Sequence, residues 1–237
     1  MSMLKTSSGD VKFSQKILYP GCHIIDRKVA YENLKDISLS FSDKLKWGVA
    51  FGTLLGIVRD GNFIEWDEDV DLYILEEEEE KFKNLLPSIL KKGFELIRFE
   101  RGGLYSISRN GEYTDFYVLK KVSNDIRYTL DGCFIFEKYL KNQKALLFKD
   151  IELNIPKEID EYLTLEYGDW RTPVRYYPPK TGVIKKCYLL IYYYFRIYSP
   201  DCIYYWWIKK RRNKDLQVFL SKCAKKGYFL PSDLRIK

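Results

Sequence analysis

The chain has 237 residues, of which 46% are hydrophobic, and its formal net charge is +7. This length supports one domain with a full core plus an appendage. Five scattered cysteines without C-x-x-C spacing and a single histidine, His23, argue against a disulfide framework and a zinc site. The N-terminus lacks a signal-peptide core and no run is long enough to cross a bilayer, so we expect a cytoplasmic protein.

The first elements of the chain place a small-residue turn beside a strand. Residues 24–45 show a helical pattern that leads into an apolar strand over residues 47–51. Gly52 and Thr53 then open a helix-like run that reaches Arg59. Free backbone N–H groups at a helix start can hold phosphate, which makes Gly52 and Thr53 candidate phosphate-binding residues.

An acidic segment, WDEDVDL at residues 66–72, follows and enters an apolar strand. Asp69 and Asp71 are two residues apart, so in a strand both side chains leave the same face. Two close carboxylates repel each other unless a cation lies between them, and Mg²⁺ takes oxygen ligands of this kind. A solvated acidic loop is the alternative. Burying unpaired charge among the neighbouring apolar residues would be costly, which favours a metal–nucleotide site.

The stretch GTLLGIVRDGNFIEWDEDVDL, which starts at Gly52, resembles the signature of the LicD/fukutin family, a branch of the nucleotidyltransferase fold. That family typically reads G-T-L-L-G-x-x-R, a short turn and F-I-P-W-D-D-D-I-D. This chain has Glu65 where Pro is common and Glu68 where Asp is common. Neither difference removes the paired acids. The resemblance implies an α+β fold with a nucleotidyltransferase-like mixed β-sheet flanked by helices.

A helix is predicted next, from the glutamates at residues 76–80 to about Lys92. Acids at its start and lysines at its end suit the helix dipole, and Gly93 is a plausible stop. We therefore interpret the glutamates as helix-start residues on a solvated face rather than as metal ligands. Pro87 predicts a kink or a break within this helix.

Three strands are predicted over residues 94–101, 104–108 and 113–119, with Asn110-Gly111 as a hairpin signal before the last of them. Asp115 lies in that last strand and could be a surface residue of the hairpin. The family resemblance continues here as a D-F/I-F-x-L pattern, and it implies a third carboxylate beside the first pair. Such a carboxylate would complete an oxygen cage for one or two Mg²⁺ ions.

Short strand-like runs are predicted between residues 126 and 155, followed by a helix that begins near Pro156. This helix and the YGDWRTP sequence that ends it at Pro173 match a second block of the family, I-P-x-x-x-x-x-Y-L followed by Y-G-D-W-x-T-P. The resemblance thus covers about residues 24–179. We predict a catalytic domain over residues 1–179 and a basic, aromatic, helical C-terminal extension over residues 180–237.

The predicted extension contains 14 Lys and Arg against 3 Asp, and 13 of the 39 aromatic residues. Apolar residues at helical spacing run to Tyr198, and Ser199-Pro200 breaks the run. The aromatic residues 204–207 are followed by the basic residues 209–212. This composition suits an anionic membrane surface or a lipid-linked glycan. A helical cap with aromatic core residues is the alternative. Because no nucleic-acid module is recognisable, we expect no nucleic-acid partner.

The resemblance implies that the protein moves a phospho-alcohol, such as phosphocholine or a polyol phosphate, from a CDP-activated donor to a sugar hydroxyl of a glycan or lipid-linked saccharide, releasing CMP. Asp69, Asp71 and Asp115 would hold Mg²⁺ or Mn²⁺ and act in catalysis. Gly52 and Thr53 would hold phosphate, and Arg59 would offset its charge. Two alternatives stay open: transfer of a nucleotidyl group with release of pyrophosphate, and a non-catalytic glycan- or membrane-binding protein.

Overall fold

A seven-stranded mixed β-sheet forms the centre of the protein and is flanked by helices, as the sequence predicts. The computed structural model describes residues 2–18, 23–175 and 182–228. The strands are β1 (Ser2–Leu4), β2 (Val11–Phe13), β3 (Trp47–Val49), β4 (Val70–Leu75), β5 (Glu95–Glu100), β6 (Leu104–Arg109), β7 (Glu112–Lys121), β8 (Ile126–Tyr128), β9 (Phe134–Phe136), β10 (Gln143–Phe148) and β11 (Ile151–Pro156). The α-helices are α1 (Arg27–Phe41), α2 (Phe51–Asp60), α3 (Glu79–Leu90), α4 (Glu137–Lys141), α5 (Ile159–Tyr167), α6 (Val183–Tyr198) and α7 (Asp201–Lys225).

The sheet has the strand order β3-β4-β7-β6-β5, and β8 and β9 continue from the end of β7. Strands β4 and β7 run parallel, whereas the other neighbouring pairs are antiparallel. Two separate hairpins, β1–β2 and β10–β11, lie outside this sheet. The topology therefore makes β4 and β7, the strands that carry the predicted acids, direct neighbours.

The hairpin between β6 and β7 turns at the predicted Asn-Gly pair. Asn110 and Gly111 both have positive φ angles, of 55° and 88°. Two-residue hairpin loops favour such backbone because it matches the twist of the flanking strands, and glycine adopts it without strain. This turn fixes the register of β6 against β7.

Helices α1 and α3 cover one face of the sheet. The Asp26 carboxylate caps α1 by accepting the backbone N–H groups of the next turn. The ring of Phe116 on β7 packs edge-on against Phe41 of α1 and at a tilt against Phe82 of α3, with centroids 5.9 and 4.7 Å away. Because side chains alternate along a strand, Asp115 points to the opposite face.

Two local features differ from the sequence-based expectations. Strand β3 ends at Val49 rather than at the expected residue 51, because Phe51 already begins α2 with a positive φ of 43°. Pro87 lies inside α3, which continues to Leu90, so the helix does not break there and a kink at Pro87 stays a prediction. Proline removes one backbone hydrogen bond there, and the buried side chains of α3 on either side hold the helix against the sheet.

The C-terminal helices α6 and α7 are separated at Ser199-Pro200, as expected. The end of α7 contributes four buried residues to the main core: Leu216, Phe219, Leu220 and Cys223. The predicted boundary at residues 179–180 lies outside the described residues, so the division into two units stays a prediction. Within the described ranges, no helix is both long and apolar enough to cross a bilayer, and four cysteines are free thiols.

Candidate active site

A row of polar side chains crosses four strands of the sheet. Asp71 on β4 is in register with Asp115 on β7. Asp115 is in register with Ser106 on β6, and Ser106 is in register with Arg98 on β5. Residues in register on neighbouring strands present their side chains on the same face. The sheet therefore brings together residues that are up to 44 positions apart in the sequence.

Asp69, one residue before β4, joins this row. One carboxylate oxygen from each of Asp69, Asp71 and Asp115 lies within 4.8 Å of the others. Asp71 and Asp115 are buried, whereas Asp69 is partly exposed. Burial raises the pKa of Asp69 and of Asp71 well above the usual range, and repulsion by the neighbouring carboxylates raises both further. The three predicted acids thus form one cluster that disfavours its own negative charge.

Arg98 is a cation of this site that the sequence reasoning missed. Its guanidinium donates to Oδ2 of Asp115, and its Nε donates to Ser106 Oγ over 2.8 Å. The other oxygen of Asp115, Oδ1, is buried and has no hydrogen-bond partner. Burial raises the pKa of Asp115, and the Arg98 charge opposes that rise. Arg98 therefore fixes one carboxylate oxygen and leaves the second one available.

Helix α2 begins against β4. The Ala50 N–H donates to the Asp71 carbonyl over 3.0 Å, and the Asp71 N–H donates to Thr53 Oγ1 over 2.8 Å. Thr53 is fully buried, so its hydroxyl serves this contact. Ala50 offers no side chain to cap α2, and the first N–H groups of a helix have no partner within it. A phosphate role for Thr53 therefore rests on its backbone N–H.

Gly52, at the start of α2, lies against Asp67. A Cβ at this position would be 2.5 Å from Asp67 Oδ2. Burial raises the pKa of Asp67 to about 6, although its Oδ1 accepts the Glu68 N–H over 3.0 Å. The absence of a side chain at Gly52 thus leaves room for a fourth carboxyl group next to the helix start.

Arg59, at the other end of α2, donates to the carboxylate of its neighbour Asp60 through Nε and Nη2, over 2.8 and 2.7 Å. The residues that line the cleft at the acid cluster do not include Arg59. Its predicted charge-balancing role stays a prediction, and in this structure its guanidinium is engaged by Asp60.

The cleft at the acid cluster has a volume of ≈ 260 Å³. Its lining residues are Leu18, Asp67, Glu68, Asp69, Arg98, Tyr113, Asp115, Tyr117 and Asp131. Asp131 follows β8, and its carboxylate lies 3.2 Å from Arg196 Nη2 of α6. The same arginine contacts Glu100 of β5 over 2.6 Å. The C-terminal helices therefore reach the wall of the cleft, which sequence patterns did not indicate.

Residues 44–158, which contain the acid cluster, match the LicD/FKTN/FKRP nucleotidyltransferase domain. This part of the chain belongs to that family. The resemblance stated from the sequence motifs is thereby confirmed. The match covers the strands from β3 to β11, which are the seven-stranded sheet and the β10–β11 hairpin, and it includes every member of the row from Asp71 to Arg98.

Two curated relatives of this chain are uncharacterized rickettsial proteins. One, from Rickettsia prowazekii, is 27% identical in an alignment of 157 residues that covers 63% of this chain and 58% of the relative. The other, from Rickettsia typhi, is 28% identical in an alignment of 155 residues that covers 63% of this chain and 48% of the relative. The chain spans about half the length of the curated relatives it matches.

Among solved structures, the chain is similar to the antibiotic-resistance factor ANT(2'')-Ia. The crystal structure of that protein in complex with adenylyl-2''-tobramycin has a TM-score of 0.39 and 11% identity, covering 81% of this chain and 99% of the other. Its solution structure has a TM-score of 0.42 and 12% identity, covering 82% and 95%. Both TM-scores are too low to support a conclusion about this chain.

The acid cluster of the LicD-type domain fits a hard divalent cation. Its donors are carboxylate oxygens only, a set that suits Mg²⁺ or Mn²⁺ rather than zinc. Asp115 Oδ1 is buried without a partner, which is costly for a polar atom unless another group satisfies it. A cation would also relieve the mutual repulsion of the three carboxylates.

Proposed function

We propose that the protein transfers a phospho-alcohol from a CDP-activated alcohol, such as CDP-choline or a CDP-polyol, to a sugar hydroxyl of a glycan or lipid-linked saccharide, with release of CMP. The observation that carries this proposal is the cluster of Asp69, Asp71 and Asp115 within a LicD-type domain. Phosphoryl transfer requires positioning and charge neutralisation more than covalent chemistry from the protein. The three carboxylates would hold a cation that positions the donor and neutralises its charge.

Asp69, Asp71 and Asp115 would hold Mg²⁺ or Mn²⁺, which when bound neutralises charge on the diphosphate of the donor. Asp115 would also accept the proton of the attacking sugar hydroxyl. Burial raises its pKa, and a base whose pKa is nearer to neutrality takes up a proton more readily. Arg98 would keep that carboxylate in a fixed orientation while the proton moves.

The start of α2 would bind a phosphate of the donor. The backbone N–H groups of Gly52 and Thr53 lie in the first turn, where the helix dipole favours negative charge. Arg59 at the end of this helix is proposed to offset diphosphate charge. It would have to exchange Asp60 for the donor, because Asp60 holds its guanidinium in this structure.

The second candidate is transfer of a nucleotidyl group to a small molecule or glycan with release of pyrophosphate. The family match itself favours this candidate, because the domain is described as a nucleotidyltransferase domain. The same three acids serve both reactions, so the leaving group distinguishes them.

Incubation with Mg²⁺ and a panel of CDP-alcohols and nucleoside triphosphates, with oligosaccharide and lipid-linked saccharide acceptors, tests both candidates. We expect CMP release that depends on a CDP-alcohol and on the acceptor. Pyrophosphate release from a triphosphate would instead establish nucleotidyl transfer. Release of neither product by the folded protein would contradict both and favour a non-catalytic binding protein.

The proposal places the protein in the cytoplasm, in peripheral contact with the cytoplasmic face of a membrane where a lipid-linked acceptor is available. Free thiols at the described cysteines are in keeping with a reducing compartment.

Substitution of Gly52 by Val is expected to raise the KM for the donor about tenfold or more, because a side chain here meets Asp67 and blocks the approach of phosphate to the helix start. Steady-state kinetics with varied donor, together with thermal unfolding, measure this. Gly182→Val is the matched control, since a Cβ at Gly182 meets nothing within 4 Å and its φ of −61° is ordinary. An unchanged donor KM in a folded Gly52→Val protein would place the phosphate elsewhere.

A further inference from the structure

Helix α6 has an exposed apolar face. Tyr188, Ile191, Tyr194 and Tyr198 are all exposed, Ile191 to 70%, and their spacing of three, three and four residues places them on one side of the helix. The other side of α6 packs on the protein. A helix whose two sides are both apolar, with only one side covered, has a surface available for a partner.

Helix α7 divides the aromatic and basic cluster of residues 204–212 between the interior and the solvent. Tyr204 is buried, and Trp207 packs edge-on against Tyr192 and Phe195 of α6 at 5.5 Å. Arg211 donates to the Tyr192 hydroxyl over 2.5 Å. Trp207 and Arg211 therefore join α7 to α6.

Other members of the cluster face the solvent. Trp206 is 63% exposed, and the Lys210 ammonium lies 5.3 Å from the centre of its ring. Ile203, one turn earlier, and Lys209 are exposed as well. An exposed tryptophan next to exposed lysines is typical of helices that lie at a membrane–water interface.

The charge of these helices favours an anionic partner. Residues 182–228 contain eleven Lys and Arg against two Asp. Asp201 pairs with Arg101 and Asp215 lies 3.4 Å from Arg211, so arginine side chains face both carboxylates. The positive charge of the exposed lysines is thus not cancelled within this region.

We propose that α6 and α7 bind the headgroup region of an anionic lipid bilayer. The binding residues form what we term the aromatic face: Tyr188, Ile191, Tyr194, Tyr198, Ile203 and Trp206. Lys209 and Lys210 supply the attraction to lipid phosphates. Tyrosine and tryptophan combine an apolar body with a polar end, which suits the headgroup level of a bilayer.

Lipid explains this surface better than a nucleic acid. Binding of single strands uses bases stacked on aromatic rings beside arginines that contact phosphates. Here Arg196 and Arg211 are engaged with Asp131, Glu100 and Tyr192 on the inner side. No charged side chain stands between the exposed members of the α6 stripe from Tyr188 to Tyr194. Such an apolar stripe suits burial among lipid chains.

Bilayer binding by these helices does not require the proposed chemistry, whereas its use in bringing a lipid-linked acceptor to the cleft rests on the proposed function. The aromatic face lies on helices that also hold Asp131 at the wall of the acid cleft through Arg196. Binding of the bilayer by α6 would consequently fix the position of the cleft relative to the membrane. A lipid-linked acceptor would then meet the cleft without free diffusion of the enzyme.

Co-sedimentation of the full chain with vesicles tests the proposal without any substrate. We expect the wild type to sediment with phosphatidylglycerol–phosphatidylcholine vesicles at low salt, and to be released at high salt because the Debye length shrinks. Lys209→Gln and Lys210→Gln should each weaken binding roughly fivefold. The double variant Ile191→Ser/Trp206→Ser should lose binding at least tenfold, since it removes two apolar anchors.

Leu147→Ser is the matched control, because Leu147 on β10 is exposed to the same 70% as Ile191. We expect its vesicle binding to equal that of the wild type. Wild-type protein that stays in solution at low salt overturns the proposal, as does equal binding by the Ile191→Ser/Trp206→Ser variant.

Two further measurements test other partners of the aromatic face. Sedimentation velocity without lipid tests a second copy of the chain, and titration with a single-stranded oligonucleotide tests a nucleic acid. A dimer that the Ile191→Ser/Trp206→Ser variant dissociates, without vesicle binding by the wild type, would assign the face to a second copy and overturn the proposal. Oligonucleotide binding without vesicle binding would overturn it as well. Turnover of a soluble acceptor by that variant should match the wild type, so failure of the membrane proposal and failure of the proposed chemistry are separable.

Discussion

Asp71→Asn is expected to lower turnover about a thousandfold or more while the protein stays folded, and Asp69→Asn should behave alike. Each change removes a carboxylate from the three that face one another within 4.8 Å. Loss of the charge stabilisation provided by a bound cation accounts for several kcal/mol in the transition state. The backbone contact to Thr53 uses the Asp71 N–H and is unaffected by the substitution.

Stability should move in the opposite direction from activity. Burial and neighbouring carboxylates raise the pKa of Asp71, so the folded state binds its proton more tightly than the unfolded chain does. The free energy of unfolding of the metal-free protein therefore falls as the pH rises from the unfolded pKa of Asp71 towards its raised folded pKa. Asp71→Asn removes this cost. Its gain in Tm over the metal-free wild type should be larger at pH 8 than at pH 5.

Product release at saturating donor, thermal unfolding at both pH values and Mn²⁺ titration by calorimetry measure these effects. Asp150→Asn is the matched control, because Asp150 is an exposed carboxylate paired with Lys35 outside the site. We expect its turnover and its Mn²⁺ affinity to be unchanged. If both cluster variants keep activity within tenfold of the wild type and bind Mn²⁺ as tightly, the assignment of the metal site is wrong.

The sequence predicts the parts of this site that depend on local spacing. Asp69 and Asp71 share a face because strand side chains alternate, and the turn at Asn110-Gly111 sets β7 against β6. That Asp115 lies beside Asp71 depends on the parallel pairing of β4 with β7, which no local pattern encodes. The family resemblance implied only that the third carboxylate lies beside the first pair, and the register of β4 with β7 places Asp71 next to Asp115.

Arg98 illustrates what local patterns miss. It lies between the apolar residues Ile97 and Phe99 of β5, and it reaches the row of Asp115 only through an irregularity in the pairing of β5 with β6 after Leu96. A charge between apolar neighbours in a strand needs a partner if it is buried, which is the one signal that could have marked it. The identity of the partner requires the order of the strands.

Helices α6 and α7 also show what local patterns predict and what they miss. Periodicity and Ser199-Pro200 predict where α6 and α7 run, because the spacing of apolar residues is a local property. Which side is covered is decided by the rest of the protein. Tyr204 and Trp207 turn inward whereas Trp206 turns outward, although all three belong to one aromatic run.

Arg98→Met is expected to shift the acid limb of the pH–activity profile upwards by about one pH unit or more. Burial raises the pKa of Asp115, and Arg98 is the group that most opposes this rise through its charge and its hydrogen bond. Without Arg98, Asp115 remains protonated to a higher pH. It then neither holds a cation nor accepts a proton at pH values where the wild type does both. Mn²⁺ affinity at pH 6 should fall accordingly.

A structural defect alone would not produce this shift, and the controls separate the two effects. Arg109→Met removes an arginine of β6 whose side chain is exposed to the same 13% as that of Arg98. Arg109 does not line the cleft, and its guanidinium pairs with the Asp36 carboxylate at a distance of 2.7 Å. Both methionine variants should lose stability. Arg98→Met should lose about 3–5 kcal/mol at most, because it leaves the buried Asp115 carboxylate without its cation, and Arg109→Met should lose less because Asp36 is exposed to solvent. Only Arg98→Met should move the acid limb, and Arg98→Lys should restore part of it because the charge remains while the second hydrogen bond is lost. If the acid limb of Arg98→Met coincides with that of Arg109→Met, Arg98 serves the fold and does not set the protonation of Asp115.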